Sequence, residues 1–560
     1  MEYSVLVERY EALDATDADT ALIEEVADTL SAAEPETLET IVTLLQGRAF
    51  VAWDDRDLGV SSSLTRTAIA KATGHEEAQI EDWWRETGDL GSAAARAVEN
   101  DRQASLFGQT LTVERVQETL EAVAEYEGAG SQERKVDAIA GLLSDADPAT
   151  AKYVVRTVLG HLRIGVGEGV IRDAIAAAFL SGSKEDIAAV EWAYQVTNNY
   201  RVVADTARTA GREGLAALEV SVGRPIDVML AEKAESIKDA IDRVAEEPAA
   251  VLGEYKYDGV RAQVHVDGDE VQVFTRRLTD VTEQFPDVVE AVAASVDADQ
   301  AILEGEIVAS HPETGEMVPF QTLSKRIKRT HDVAAAVESI PVTLYLFDAI
   351  YVGESLLAAP LEERLEALDA VVAEQPGEIE HAANRHSGER AALAGFYEEA
   401  LEAGQEGIMV KNREASYQPG SRVGYMMKVK PTLETLDLVV VRATYSEGRR
   451  SNNLGRLYLA CREPEIGEFR EIGRLSTGFT DEELATVTER LEPLIVETDG
   501  RDVTLDPEVV LEVEFEELQT SPEYDSGYAL RFPRFVGFRE DLSPADADTL
   551  DRVESLYESQ

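Results

Sequence analysis

Lys256 sits in Glu254-Tyr255-Lys256-Tyr257-Asp258-Gly259-Val260-Arg261, a tight polar turn with an acid before the lysine and Asp-Gly, then an arginine, after it. A lysine nitrogen, once neutral, is a good nucleophile. Leu303-Glu304-Gly305-Glu306 and Glu406-Gly407 supply acids farther along, and Arg276, Arg422, Lys428 and Lys430 supply cations. Hard carboxylate oxygens suit Mg²⁺, which also shares its shell with phosphates. Nearby cations, with Mg²⁺, are expected to lower the pKa of Lys256. Such a set suits phosphoryl transfer, which needs positioning and charge neutralisation. Each acid taken singly, among 109 acidic residues, reads as a solvated surface charge.

The elements that must position these groups are strands. Arg261-Ala262-Gln263-Val264-His265-Val266 and Glu270-Val271-Gln272-Val273-Phe274-Thr275-Arg276 flank Asp267-Gly268-Asp269, a strong hairpin signal. Arg261 and Arg276 are equidistant from the turn and, without a bulge, face each other at the open end. Two guanidiniums there can hold a ribose hydroxyl and phosphate oxygens with fixed forks. Two surface arginines at strand ends are the plain alternative. In Ala301–Ala309, period two puts Glu304 and Glu306 on one face and Leu303 with Ile307 on the other. Leu344-Tyr345-Leu346-Phe347-Asp348-Ala349 reads as a buried strand, where Phe347 would ordinarily be core. Lys428 and Lys430 share a strand face. Lys325, Arg326, Lys328 and Arg329 form a dense basic run, suited either to a phosphate-facing helix or to a salt-bridged face.

Residues 1 to about 215 read as helices: Val5, Tyr10 and Leu13, then Leu22, Val26 and Leu30, then Leu38, Ile41, Leu44 and Leu45 recur at helical spacing. In Leu162-Arg163-Ile164-Gly165-Val166-Gly167-Glu168-Gly169, alternate glycines are costly in a helix interior and suit a turn or a close backbone approach. Gln103-Ala104-Ser105-Leu106-Phe107 can plug an apolar pocket through its aliphatic and aromatic side chains, or end a helix. After about residue 433, short strands around a helical stretch suit a small β-barrel such as an OB-fold.

In order and type these motifs resemble those of covalent nucleotidyltransferases, most closely the ATP-dependent DNA ligases of archaeal and eukaryotic replicative type. The resemblance covers nearly the whole chain. It implies a multidomain protein: an all-α DNA-binding domain (1–215), an α+β nucleotidyltransferase (ATP-grasp-like ligase) domain (216–432) and a β-barrel OB-fold domain (433–560). It implies that Lys256 carries AMP, that Glu254 accepts a hydrogen bond from the adenine amino group, and that Arg261, Arg276, Glu306, Phe347, Arg422 and Lys428 hold the nucleotide. Glu306 and Glu406 would hold Mg²⁺, and Lys430 would belong to the site with Lys428. Arg531 and Arg534 would orient pyrophosphate, Gly165 and Gly167 would face the minor groove, and Gln103 with Phe107 would bind a sliding clamp. Two positions depart from the family: Met426 stands where tryptophan is common, and Leu542 where lysine is common.

The implied activity is ATP-dependent sealing of 5′-phosphate/3′-hydroxyl nicks in duplex DNA, by a monomer. The rivals are an RNA ligase, a GTP-using capping enzyme, an NAD-dependent ligase, and a non-catalytic DNA- or clamp-binding scaffold. The helical N-terminal region disfavours the first two. The single cysteine, Cys461, precludes the four-cysteine zinc site usual in the NAD-dependent class. The first residues lack a charged n-region and apolar core, and no apolar run is long enough to span a bilayer, so a cytoplasmic protein is expected. The formal net charge is −57, from 109 acids against 52 bases. That is unusual for a nucleic-acid binder. The acids are spread along the chain rather than gathered in a tail, as adaptation to molar salt would spread them.

Overall fold

The computed structural model describes residues 1–558 except 17, 52, 53, 55, 101–108, 313, 315, 316, 319, 328, 330, 432–434, 447–452, 465, 466, 477 and 478. Gln103, Phe107 and Lys328 therefore lie outside the described residues. The chain forms two compact units, Met1–Lys430 and Pro431–Gln560.

The first unit begins with helices running from Tyr3–Asp14 to Tyr200–Ala216. Their starts are chemically specified. Ser61, Asp89, Thr112 and Asp147 each cap a helix with a side-chain oxygen, and Ser183 with Asp186 forms a capping box. Their apolar stripes merge into one core holding Tyr3, Leu6, Tyr10, Leu22, Leu30, Ile41 and Tyr153. Val5 does not join it: it is 43% exposed, and Leu6 faces inward instead.

Ten strands follow. They are β1 (Leu230–Lys233), β2 (Val251–Tyr255), β3 (Val260–Asp267), β4 (Glu270–Thr275) and β5 (Gln300–Ala309). Then come β6 (Val342–Val352), β7 (Ile379–His381), β8 (Asn384–His386), β9 (Ile408–Asn412) and β10 (Arg422–Val429). They form two five-stranded sheets, ordered β1-β10-β9-β2-β8 and β4-β3-β5-β6-β7. Leu303 and Ile307 of β5 enter the core of the second sheet. Met426 is buried against Tyr417, Val423 and Met229, in a cluster that also takes in Val196 from the last helices. A flexible thioether fills such a gap well, so the site where the family often has tryptophan is packed.

In the second unit the strands are β11 (Leu436–Tyr445), β12 (Leu454–Arg462), β13 (Phe469–Leu475), β14 (Ile495–Asp499) and β15 (Asp502–Leu505). They continue with β16 (Val510–Glu514), β17 (Glu517–Thr520), β18 (Tyr528–Arg531) and β19 (Arg534–Phe538). Long β11 pairs with β12 and β15, and with β16 near its start. The helix Asp481–Leu491 packs on the resulting core through Val487 and Leu491. This is an OB-fold domain, but among the described residues its strands do not close into a ring: β17 and β18 form a separate pair.

Candidate active site

Strand register brings the key lysines and Glu406 together. Tyr255 lies opposite Ile408, and Ile408 opposite Val429. One step farther, the Lys256 N–H donates to the Gly407 carbonyl (3.0 Å), and the Glu406 N–H to the Lys256 carbonyl (2.9 Å). Lys256 and Lys430 thus flank Gly407 from neighbouring strands. A Cβ on Gly407 would lie 2.2 Å from the Val429 carbonyl oxygen, and its φ is +128°, so only glycine fits. Likewise a Cβ on Gly259 would lie 2.3 Å from the Ile307 carbonyl oxygen. The Glu406 carboxylate hydrogen-bonds Lys256 Nζ and accepts Lys430 Nζ at 2.8 Å.

Burial alone would lower the Lys256 pKa, but Glu406 and Glu306 outweigh it and raise the pKa above the ordinary lysine value. The protein's own side chains therefore do not lower it: the charges that act most on the ammonium are carboxylates, and the lowering expected from cations together with Mg²⁺ does not come from Arg and Lys alone. Burial pushes Glu406 up, yet the two lysines bring it down to about 2. Glu306 goes the other way. Burial, only partly offset by Lys256 and Arg261, drives its carboxyl up to about 7.

A carboxyl with a raised folded-state pKa keeps its proton where the unfolded chain has lost it, so stability falls as pH rises toward the folded pKa. Glu306→Gln should therefore stabilise the metal-free protein, increasingly so as pH rises from the ordinary 4.5 to about 7. Denaturant melts in EDTA between about pH 5 and pH 8 measure this. A difference independent of pH would refute it. A cation beside ionised Glu306 would relieve the same strain. Among the described residues no group of three or more His, Cys, Asp or Glu could hold a metal. Glu306 and Glu406 both act on Lys256 and on each other, and Mg²⁺ needs only one or two carboxylates when phosphates complete its shell.

The second sheet supplies the other wall. Arg261, Gln263 and His265 alternate on one face of β3. Arg261 donates to the Glu304 carboxylate (2.7 Å) and the Met229 carbonyl (2.8 Å). Gln263 receives the Ile226 N–H (3.0 Å), donates to the Ile226 carbonyl (3.3 Å) and meets Glu304 at 3.4 Å. His265 Nδ1 accepts the Gly223 N–H at 2.9 Å, while Nε2 faces the Gln263 oxygen at 3.0 Å. Burial lowers the imidazole pKa to about 3, so the ring is neutral, with its proton on Nε2. Three side chains of one strand thus moor the backbone of residues 223–229. The Arg261 Nε is buried without a hydrogen-bond partner among the described residues, a donor available to a ligand oxygen.

Phe347 is half-buried, with Lys411 Nζ 4.7 Å and the Arg261 guanidinium carbon 5.3 Å from its ring centroid. Glu254 pairs with Lys411 at 2.5 Å, both side chains buried. Behind them Arg364 makes two hydrogen bonds to Asp348, 2.7 and 3.0 Å. Arg276 is not the cross-strand partner of Arg261: β4 ends at Thr275, opposite Ala262, and a tight turn follows. Arg276 is exposed, and its pKa is lowered by desolvation and by neighbouring Arg261 and Arg422. Arg422, also exposed, donates to the Ala231 carbonyl at 3.0 Å. Lys428 is half-buried on β10 beside Met409.

The basic run divides. Lys325 and Arg329 are exposed, but Arg326 is 1% exposed, paired with Asp287 and lying over Phe285. Arg326 is a core anchor and not a phosphate contact. In the helical region, Gly165 has φ +74° and Gly167 caps the helix Glu168–Phe179. Both line a depression bounded by residues 45–47 and 160–167. In the second unit Arg531 pairs with Glu517 (2.8 Å), Arg534 is exposed, and Arg539 is held by Asp437 and Asp541.

Lys411, Gln263, His265 and Arg364 had no role in the sequence reading. A lysine ending the apolar run Ile408-Met409-Val410, and polar residues alternating through β3, were the available signals.

Residues 228–430 match the family model described as ATP dependent DNA ligase domain. Residues 2–176 match DNA ligase N terminus, and 450–542 match ATP dependent DNA ligase C terminal region. A DNA ligase of Thermococcus fumicolans is 44% identical, over 100% of this chain and 98% of that one. A DNA ligase of Haloarcula marismortui is 43% identical, over 100% of both. The solved structure named Pmar-Lig_PreS3 has a TM-score of 0.58 at 16% identity, covering 95% of this chain and 99% of that one, a likeness of fold. Matched along its length by these family models and from end to end by relatives 43–44% identical, this chain belongs to the ATP-dependent DNA ligases.

Proposed function

We propose that this protein seals 5′-phosphate/3′-hydroxyl nicks in duplex DNA through a lysyl-AMP intermediate. The observation that carries the reading is Lys256, hydrogen-bonded to Glu406 and close to Glu306, at the end of β2. The Lys256 ammonium first loses a proton to solvent, against the hold of Glu406 and Glu306. The neutral amine then attacks the α-phosphorus of ATP, a P–N bond forms, and the bond to the β-phosphate oxygen breaks, releasing pyrophosphate. AMP passes to the nick 5′-phosphate, and the adjacent 3′-hydroxyl displaces it. Glu306 and Glu406 would hold Mg²⁺, which would supply charge neutralisation for the phosphates.

Glu254 accepts from the adenine amino group, and Phe347 stacks on the base. Arg261, Arg276, Arg422 and Lys428 hold ribose and phosphates. Domains of residues 1–215, 216–432 and 433–560 share the work, with Gly165 and Gly167 against the minor groove. Incubation with labelled ATP, then separately with labelled NAD, followed by a nicked duplex, tests this. A covalent label from ATP that is consumed on sealing is expected. Label from NAD alone, or no label, would refute it.

Arg531 and Arg534 orient the leaving pyrophosphate. Arg531→Ala and Arg534→Ala should cut adenylation by ATP by about a hundredfold or more but spare sealing of a pre-adenylated nick, where pyrophosphate has already left. Equal loss in both assays would give these arginines another role.

The protein works as a monomer in the cytoplasm. Among the described residues no helix is long and apolar enough to cross a membrane. Gln103 and Phe107 engage a sliding clamp. The double substitution Gln103→Ala with Phe107→Ala should weaken clamp affinity about tenfold or more and leave clamp-free sealing unchanged. Unchanged affinity in a binding titration would discard the box.

A further inference from the structure

Lys411 touches both groups proposed to receive adenine. β2 and β9 are antiparallel, with Glu254 opposite Met409. Two residues on, Lys411 returns to the same face and reaches diagonally to Glu254 Oε1 at 2.5 Å. The two side chains are 7% and 4% exposed. The same ammonium lies 4.7 Å from the Phe347 ring centroid.

We propose that Lys411 is the positioning residue that sets nucleobase specificity, by holding Glu254 as a fixed, ionised acceptor for a purine 6-amino group. This rests on the reading, given above, that Glu254 meets the adenine edge. A buried carboxyl tends to keep its proton; burial leaves Glu254 raised above the ordinary carboxylate value, and Lys411, the nearest cation, is the main influence holding it down. An ionised carboxylate only accepts, which suits a 6-amino purine. A protonated carboxyl also donates, which suits a 6-oxo purine. Loss of the Lys411 charge therefore changes which base fits, and not only how stable the pocket is. By lying against Phe347, Lys411 also ties the edge-reading acid to the ring.

The test is self-nucleotidylation of the full-length protein with ATP and with inosine triphosphate, which carries oxygen in place of the amino group at position 6 and a proton on N1. In Lys411→Met the ratio of kcat/KM for ATP over inosine triphosphate should fall at least about tenfold, through a higher KM for ATP. Lys411→Arg keeps the cation and should restore the wild-type ratio. Should Lys411→Met not fold, Lys411→Gln, which keeps a donor without the charge, should show the same fall. Equal losses with both nucleotides, or an unchanged ratio, would reduce the pair to a structural contact and overturn the proposal. A wild-type protein that does not distinguish the two nucleotides would instead overturn the reading of Glu254 itself.

Discussion

Lys256→Ala should leave no covalent AMP on the protein at any ATP concentration. The loss is total because the P–N bond has no other atom to form on. Lys430 pairs with the same Glu406 at 2.8 Å from the adjacent strand. The same pair explains why the fold should survive. Removing one partner of a buried ion pair is costly when it strands the other charge, about 3–5 kcal/mol. Here Glu406 keeps Lys430, so the change in unfolding free energy should stay within about 1 kcal/mol. Lys256→Arg should be as inactive as the alanine variant, since a guanidinium stays charged and is no nucleophile. Mass spectrometry after incubation with ATP and Mg²⁺ reads the adduct directly, and denaturant unfolding checks the fold. Adduct persisting in Lys256→Ala would remove Lys256 from the chemistry.

The wild-type environment of Lys256 adds a constraint. The carboxylates of Glu406 and Glu306 hold the ammonium charged, and a charged ammonium is no nucleophile. Adenylation must begin by weakening the hold of Glu406. Cations in the sequence suggested a lowered lysine pKa, but they act through other groups. Lys430 neutralises Glu406, and Arg261 is committed to Glu304 and Met229. Charge type was legible from the sequence, whereas charge pairing depends on strand register.

The same distinction runs through the rest of the molecule. Period-two alternation placed Leu303 and Ile307 in the core and their acidic neighbours on the opposite face, because β5 is regular against β3. Helical spacing found the N-terminal stripes but misjudged Val5, since a 3.6-residue period leaves a stripe edge ambiguous. The hairpin argument gave the right register, Ala262 opposite Thr275, but the ladder stops there and a turn begins at Arg276, which lies near Arg261 without a strand pairing. A run of four bases looked like one surface, but a helix turns each residue to a different face. Arg326 landed inside, against Asp287 and Phe285. Lys411 went unremarked because its partner, Glu254, is distant in sequence and meets it only through the β2–β9 pairing. Gln263 and His265 were missed for a related reason: their partners are backbone groups of residues 223–229, which carry no side-chain signature.

Both melting temperature and nick-sealing rate should rise as KCl increases from about 0.1 M into the molar range, where the screening length falls from about 10 Å to about 3 Å. The formal charge of −57 drives this. Exposed carboxylates repel one another and repel DNA phosphates at low salt. Salt also weakens DNA binding, because counterion release from phosphates gains less. The two effects oppose each other. In a protein with a basic face the second dominates and salt inhibits. With 109 acids and 52 bases, the first should dominate here. The residues proposed to receive adenine are insulated from the change. Glu254–Lys411 and Asp348–Arg364 are buried pairs, and screening by mobile ions acts chiefly on exposed charge. With Arg326 buried, the exposed cations left in its run for phosphate contact are Lys325 and Arg329 among the described residues. Their joint replacement by glutamine should lower sealing most at low salt, where each remaining cation faces unscreened acid. The measurement is a paired titration of melting temperature and single-turnover sealing against KCl. The expected gain in sealing between about 0.1 M and 2 M is about tenfold, about 1.4 kcal/mol. A sealing optimum below about 0.2 M, where screening is still partial, would show that counterion release governs this ligase despite its charge.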